Sequence, residues 1–438
     1  MPRSQARACF TLLAALALGA PTQADLFGLG LADVGDLDGD GKSDLLVAEG
    51  LRFETEETTR GRGVVFSGAD GSVLLDVRGA HEDDFFGTSV AGPGDLDGDG
   101  IPDLLVGAMK DAAGERSYVR AFAGADGALL AHSEFAPGQW KSIWNTLGAS
   151  TRPSALGDVD RDGHPDWALG AWTHAEGRGA VVVISGATGQ ELSRRLGARP
   201  LAGFGASLAP AGDLDQDGVP ELFVGSVPLR WDEDAQELRG LREDGEVHAL
   251  SGRGLAPLFA RGAFEGDGQF GFSVAGLDDW NGDGVRDLAV GAPFGRRPES
   301  RTPMGRVRVL SGLDGSPLAL WEQDQDSGGD SSFGGVVVGL GTHEGQPRLL
   351  ASAVRSMVSR THELVRGLDA PRQHTTCDPW STSHFGVALC ALADIDGDGL
   401  RDFAGAAVSV RTGSGFPGRV CVVSSAEGAV LRELSRPH

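Results

Sequence analysis

Only one tyrosine occurs among the 438 residues, and neither a G-x-S-x-G nor an H-E-x-x-H motif is present. Without a nucleophile–base pair recognisable by motif, the chain carries no signature of serine- or zinc-dependent hydrolysis. The lone Tyr118 falls in a strand-like run, which argues against a tyrosine base, and the ten histidines are scattered. Positive charge is also short: 38 Lys and Arg against 62 Asp and Glu give a net charge of −24. So anionic a chain is a poor partner for nucleic acid. No segment beyond the first twenty residues keeps a helical period. No second long apolar run follows the N-terminal one, so membrane insertion is not expected.

Residues 1–24 read as a secretory signal, with Arg3 and Arg7 at the start, an apolar stretch from Ala8 to Ala20, and Thr22-Gln23-Ala24 as a small-residue cleavage site. The expected product is secreted, periplasmic or extracellular, and monomeric. Cys9 lies too early for a lipoprotein site. The three remaining cysteines, Cys377, Cys390 and Cys421, all fall at the C-terminal end and leave the disulfide state open. Zinc is a weak alternative for His374, Cys377, His384 and Cys390, because their spacing matches no standard site.

What the chain has in abundance is glycine, 68 residues, and a recurring turn D-x-[DN]-x-D-G-x-x-[DE]. Copies start at Asp36, Asp95, Asp158, Asp213, Asp279 and Asp394, spaced 59, 63, 55, 66 and 115 residues apart. The doubled last gap predicts a copy without the carboxylates near residue 341, between Phe333-Gly334 and Leu349-Leu350-Ala351. A Phe-Gly pair opens six units, at Phe27, Phe86, Phe204, Phe270, Phe333 and Phe385, and Leu147-Gly148 replaces it in the third. A second motif close to V-x-V-x-S-G-x-x-G follows each turn, for example from Val64, Val181 and Val307, with a worn version from Glu363. The repeat number is seven.

Each unit holds four short apolar runs, as in Ser89–Pro93, Asp103–Ala108, Tyr118–Ala123 and Ala128–His132. The fold class expected is all-β, a seven-bladed β-propeller of four-stranded antiparallel blades with Ca-binding loops. A parallel β-helix has much shorter repeats. The propeller occupies residues 25–438, with blades near 25–79, 80–138, 139–198, 199–261, 262–322, 323–376 and 377–438.

Carboxylates on alternate residues of a tight turn repel one another unless a cation lies among them, and an all-oxygen cage suits Ca²⁺. Positions 1, 3, 5 and 9 offer side-chain oxygens, and position 7 a backbone carbonyl. In order these are Asp36, Asp38, Asp40, Asp44 and Lys42; Asp95, Asp97, Asp99, Asp103 and Ile101; Asp158, Asp160, Asp162, Asp166 and His164. The rest are Asp213, Asp215, Asp217, Glu221 and Val219; Asp279, Asn281, Asp283, Asp287 and Val285; Asp394, Asp396, Asp398, Asp402 and Leu400. Glycine at position 6 suits a positive φ. Up to six Ca²⁺ would offset much of the negative charge. An EF-hand is excluded, since position 12 is Val47, Val106, Leu169, Val224, Val290 and Gly405 instead of an acid.

The chain resembles the FG-GAP repeats of the integrin α-subunit N-terminal propeller over the whole span after residue 24. The Phe-Gly pairs carry the first half of that motif, and Val106-Gly107-Ala108, Leu169-Gly170-Ala171 and Val290-Gly291-Ala292-Pro293 the second. The resemblance implies that the acidic positions above bind Ca²⁺ and that the fold serves adhesion. It differs in having six such loops and in lacking the integrin stalk and inserted ligand-binding domain.

With strands A to D alternating in direction, A–B and C–D turns share one face, and the longer B–C and D–A loops share the other. Recognition is expected on the latter, with Trp172, Trp231, Arg296, Arg297 and Trp380 as candidate contacts. The favoured reading is a non-catalytic adhesion or recognition module for an extracellular protein or glycan. The alternative is a carbohydrate-active enzyme of polysaccharide lyase or dehydratase type on a Ca-loaded propeller.

Overall fold

The computed structural model describes residues 24–25, 27–49, 61–80, 84, 86–108, 117–135, 153–232, 237–240, 245–295, 305–323, 332–354, 360–366, 372–374, 384–410 and 418–437. Seven antiparallel sheets, each built on four strands taken in chain order, form the blades of a propeller. Strands A to D of blade 1 are Leu31–Asp33, Leu45–Glu49, Arg62–Phe66 and Val73–Arg78. Blade 2 uses Ser89–Gly94, Asp103–Ala108, Ser117–Phe122 and Leu129–Phe135, and blade 3 uses Ser154–Gly157, Asp166–Gly170, Ala180–Ile184 and Glu191–Leu196. Blade 4 comprises Phe204–Gly212, Glu221–Ser226, Glu246–Leu250 and Pro257–Gly262; blade 5 comprises Ser273–Gly276, Leu288–Ala292, Arg306–Leu310 and Pro317–Glu322. Blade 6 has Ser332–His343, Gln346–Val354, Arg360–Val365 and Arg372–His374, and blade 7 has His384–Ala391, Phe403–Val410, Arg419–Val423 and Val430–Ser435.

The apolar run after each acidic turn is strand B. It is apolar on consecutive residues because neighbouring blades cover both its faces, so Leu288–Ala292 is buried throughout. Strand D is the outer edge and alternates, as in Glu191–Leu196. Of eight clusters of buried side chains among the described residues, seven each span one blade–blade junction, including the junction of blade 7 with blade 1. Each Phe of a Phe-Gly pair is buried against the preceding blade: Phe27 packs with Val420 and Val422, and Phe86 with Leu46 and Val65.

The two halves of the repeat motif meet across these junctions. A Cβ on Gly291 would lie 1.9 Å from the carbonyl oxygen of Gly334, the glycine of the next blade's Phe-Gly pair. The same approach holds for Gly170 on Gly205 (2.1 Å) and Gly225 on Gly271 (2.0 Å). Real Cβ contacts are never that short, so the spacing of the blades requires glycine. Ser207 and Ser273 reinforce the contact by donating to the Gly271 and Gly334 carbonyls at 2.8 Å.

The ring closes by adding an N-terminal strand to blade 7, whose own four strands all come from the C-terminal end. Ala24–Asp25 pairs with Val410 and Ser409 of blade 7. Asp33 N donates to Cys390 Sγ at 3.0 Å, Ala393 N to Ser43 Oγ at 2.8 Å, and Lys42 Nζ to Asp394 O at 2.9 Å. On the opposite face Arg62 Nη2 donates to Pro437 O at 3.0 Å, and Arg436 pairs with Glu49.

The sixth unit has lost its acidic turn, as the doubled spacing predicts. Its strands A and B pair out to His343 and Gln346 around Glu344-Gly345. Blade 4 carries an added hairpin, Leu229–Asp232 with Glu237–Gly240, between strands B and C. Among the described residues no helix is long and apolar enough to cross a membrane. Residues 1–23, Leu147-Gly148 and Cys377 lie outside the described residues.

Candidate metal centre

In each of the six acidic blades the loop joins strand A to strand B, and one set of hydrogen bonds recurs. The first aspartate folds over the turn, and its Oδ2 takes the amide of the position-6 glycine. These bonds run from Gly41, Gly100, Gly163, Gly218, Gly284 and Gly399 at 2.7–3.0 Å. The position-5 aspartate accepts the position-7 amide, as Asp40 does from Lys42 at 2.8 Å and Asp398 from Leu400 at 2.7 Å. Amides of Ile101, His164, Val219 and Val285 do likewise.

Position 9 opens strand B and is fully buried in every copy: Asp44, Asp103, Asp166, Glu221, Asp287 and Asp402 are each 0 % exposed. One oxygen accepts the amide of the position-2 residue, as Leu37 gives to Asp44 (2.7 Å) and Trp280 to Asp287 (2.6 Å). The other accepts an amide from the blade's own C–D turn, from Gly68, Gly124, Gly186, Gly312 and Ser425 at 2.9–3.0 Å. Position 9 is therefore a strut between the two turns of one face as well as a candidate ligand. Position 2 escaped the sequence reading although its signal, an apolar residue between two acids, is present in every copy. Leu96, Val159, Leu214 and Trp280 there are buried at the blade junctions.

Carboxylate oxygens of Asp36, Asp38 and Asp40 lie within 4.8 Å of one another, and the same holds for Asp95, Asp97 and Asp99. The triples are Asp158, Asp160 and Asp166 in blade 3, Asp213, Asp215 and Glu221 in blade 4, and Asp394, Asp396 and Asp402 in blade 7. In blade 5 the amide of Asn281 donates to Asp283 at 2.8 Å. Burial pushes Asp44 and Asp103 up to about 6 and Glu221 up to about 7. Backbone amides oppose that rise and neighbouring acids add to it. Asp166, Asp287 and Asp402 are raised for the same first cause. Asp95, Asp279 and Asp394 go the other way: desolvation opposes it, but amides of the turn hold them below the ordinary carboxylate range.

Glu221 tests whether the residues fit a cation. Its Oε2 accepts Leu214 N at 2.6 Å, while the fully buried Oε1 has no partner among the described residues. A buried carboxylate oxygen left bare beside Asp213 and Asp215 is costly unless a cation joins them. Hard oxygen donors in this number and spacing fit Ca²⁺. Adjacent loops are also tied directly, since Arg161 of blade 3 donates to Asp217 O of blade 4 at 2.8 Å.

The opposite face is only partly described. Trp172 is 4 % exposed, packed with Ala206, Val227, Leu229 and Phe272 beneath the added hairpin, so it offers no open surface. Trp231 lies in that hairpin, in register with Leu238. Arg296, Arg297 and Trp380 fall outside the described residues.

The repeat profile that matches this chain is that of the FG-GAP repeat, at residues 86–119 and 270–310. The chain carries FG-GAP repeats. It is 31 % identical to integrin alpha-5 of Xenopus laevis over 45 % of this chain and 19 % of that protein. It is 29 % identical to integrin alpha-PS2 of Drosophila melanogaster over 58 % of this chain and 15 % of that one. With human integrin alpha-7 the identity is 40 % over 27 % of this chain and 10 % of the relative. The chain thus spans no more than about a fifth of the length of these relatives.

Proposed function

We propose that this FG-GAP propeller is an exported, calcium-bound, non-catalytic recognition module for an extracellular protein or glycan, with its first 24 residues directing export. The reading rests chiefly on one observation: six acidic turns repeat the same internal geometry on one face, each with a buried carboxylate at position 9. Calcium there would neutralise the loops and brace strands A and B against the C–D turns. The face with the longer loops is then free to carry the specificity, and Trp231, Arg296, Arg297 and Trp380 are its candidate contacts. The relatives being integrin α subunits favours adhesion over turnover.

The catalytic alternative needs an accessible base. Tyr118 does meet Arg120 and His132 on the blade 2 sheet. Its hydroxyl is nevertheless buried and donates to Asp84, and burial followed by that bond holds the phenol protonated far above its ordinary range. A base kept protonated cannot abstract a proton. The deciding experiment is a binding screen of purified protein against glycans and secreted proteins, with calcium and with chelator, alongside a turnover assay on acidic polysaccharides. Calcium-dependent capture without turnover is expected. Turnover, or no calcium in elemental analysis, would overturn this assignment.

A further inference from the structure

Blade 6 raises a question that the other six do not: what occupies its A–B corner in place of the acids. Its hairpin is a two-residue turn, with Glu344 at φ 49° and Gly345 at φ 73°, as a type I′ turn requires. The register is nonetheless shared. Gly341 opposes Arg348 as Gly94 opposes Asp103, Gly157 opposes Asp166 and Gly212 opposes Glu221. An arginine therefore stands at position 9, where every other blade has a buried acid.

Arg348 is 5 % exposed. Its Nε donates to Glu363 Oε1 at 2.5 Å, and Glu363, on strand C, is 1 % exposed. Its Nη2 donates across the junction to Ser425 Oγ of blade 7 at 3.0 Å. Ser425 N in turn donates to Asp402 Oδ1, the position-9 acid of the blade 7 loop, at 3.0 Å. Ser425 is itself the exception among its equivalents. In blades 1, 2, 3 and 5 this residue is glycine, where a Cβ would lie 1.8–2.1 Å from the carbonyl of position 8. Three departures from the repeat thus contact one another: a cation for an acid, an acid on strand C, and a hydroxyl in place of a glycine.

We propose that Arg348 is the resident cation of blade 6, neutralised by Glu363 and linked through Ser425 to the buried acid of the blade 7 loop. The blade 6–7 junction then keeps its internal charge compensation when metal is withdrawn. This rests on the reading of the other six loops as calcium sites. A guanidinium suits the task because it stays charged at any physiological pH and presents several donors in a fixed plane.

Hydrogen exchange read strand by strand tests the proposal on the intact chain. In chelator, strands A and B of blades 1–3 should exchange about tenfold faster or more, while strand B of blade 6 and strand B of blade 7 change little. Arg348→Met should accelerate blade 6 exchange roughly a hundredfold even with calcium present, since it takes the Arg348 guanidinium from the buried Glu363 carboxylate, and bound calcium should stay unchanged. Arg348→Met/Glu363→Gln should recover part of that loss. Ser425→Gly, the residue other blades use, should loosen the 6–7 junction alone and serves if Arg348→Met fails to fold. The proposal is overturned if wild-type blade 6 opens in chelator as fast as blades 1–3. It is equally overturned if Ser425→Gly leaves the junction unchanged or Glu363→Gln brings no recovery. A protein without calcium would defeat the loop reading separately, and the variants would still judge the Arg348–Glu363–Ser425 coupling.

Discussion

On the acidic face the six position-6 glycines reach the first aspartate at 2.7–3.0 Å, and five C–D turn amides reach position 9 at 2.9–3.0 Å. On the opposite face the start of strand C is handled differently from blade to blade. Arg62 pairs with Glu49, Tyr118 with Asp84, Glu246 with Arg199, Arg306 with Asp267 and Arg419 with Glu433. The contrast shows what a shared demand does to a repeat. Six turns with acids at the same positions converge on one geometry, as a shared cation would demand, while the ends of the same strands diverge.

The largest effect should come from removing the ion. On the proposed calcium reading, each ion would stabilise by about 2.7 kcal/mol when present at a hundredfold excess over its Kd. Chelation should therefore lower the melting temperature by on the order of 10 °C or more. Differential scanning fluorimetry with and without chelator measures this, and superimposable melting curves would break the distinction between the faces.

Second in size is the glycine contact between blades. Gly291→Ala forces a Cβ into the Gly334 carbonyl and Ser273 Oγ, so it should cost about 1–3 kcal/mol or more. Gly262→Ala is the control, since nothing lies within 4 Å of its added carbon and its φ is not left-handed. Chemical denaturation midpoints that fall equally for both would remove the account given for the motif.

These two contrasts also show what was legible beforehand. Blade number and the missing sixth loop followed from the spacing of the turns and the Phe-Gly pairs, and strand count from the apolar runs in each unit. The clustering of the acids was legible because carboxylates at alternate residues of one tight turn have to lie close together. The strut role of position 9 was not, since its partners Gly68 and Gly186 lie about twenty residues away and a sequence does not print hydrogen bonds. Trp172 was misjudged as surface because an aromatic residue in a loop looks alike whether it faces a partner or the underside of a hairpin. Arg348 was missed because the worn sixth unit had lost the acids that mark the register.

A smaller effect separates the metal-free and metal-bound protein by pH. Asp44, Asp103 and Glu221 hold protons up to about 6 or 7 in the metal-free fold, well above the unfolded carboxylate range. Their contribution is complete below about pH 4 and is lost as pH rises through 6 to 7. In chelator the melting temperature should therefore fall between pH 5 and 7.5, each acid costing on the order of 1–2 kcal/mol. In calcium it should rise over the same range, because the ion requires the ionised acids. Asp95, Asp279 and Asp394, shifted down, titrate below this window. Parallel slopes in the two conditions would mean that the position-9 acids do not meet the ion.

The smallest effect on stability belongs to the opposite face, and there the readout has to be binding. Trp231 lies in the hairpin added to blade 4, beyond the sheet that the ring requires. On the proposed placement of Trp231 and Arg296 in binding loops, replacing either with alanine should change stability by no more than about 0.5 kcal/mol, as surface substitutions do. If these residues anchor a partner, the same replacements should weaken capture about thirtyfold, the loss expected of a central aromatic or arginine contact. Trp172→Ala cannot substitute in this test, since its side chain supports Val227 and Leu229 beneath the hairpin and its loss would unsettle the surface indirectly. Surface plasmon resonance with a partner found in the binding screen compares the two variants directly. Unchanged capture by both would move recognition off this face, leaving the acidic one, where a partner carboxylate could complete the coordination of a bound ion.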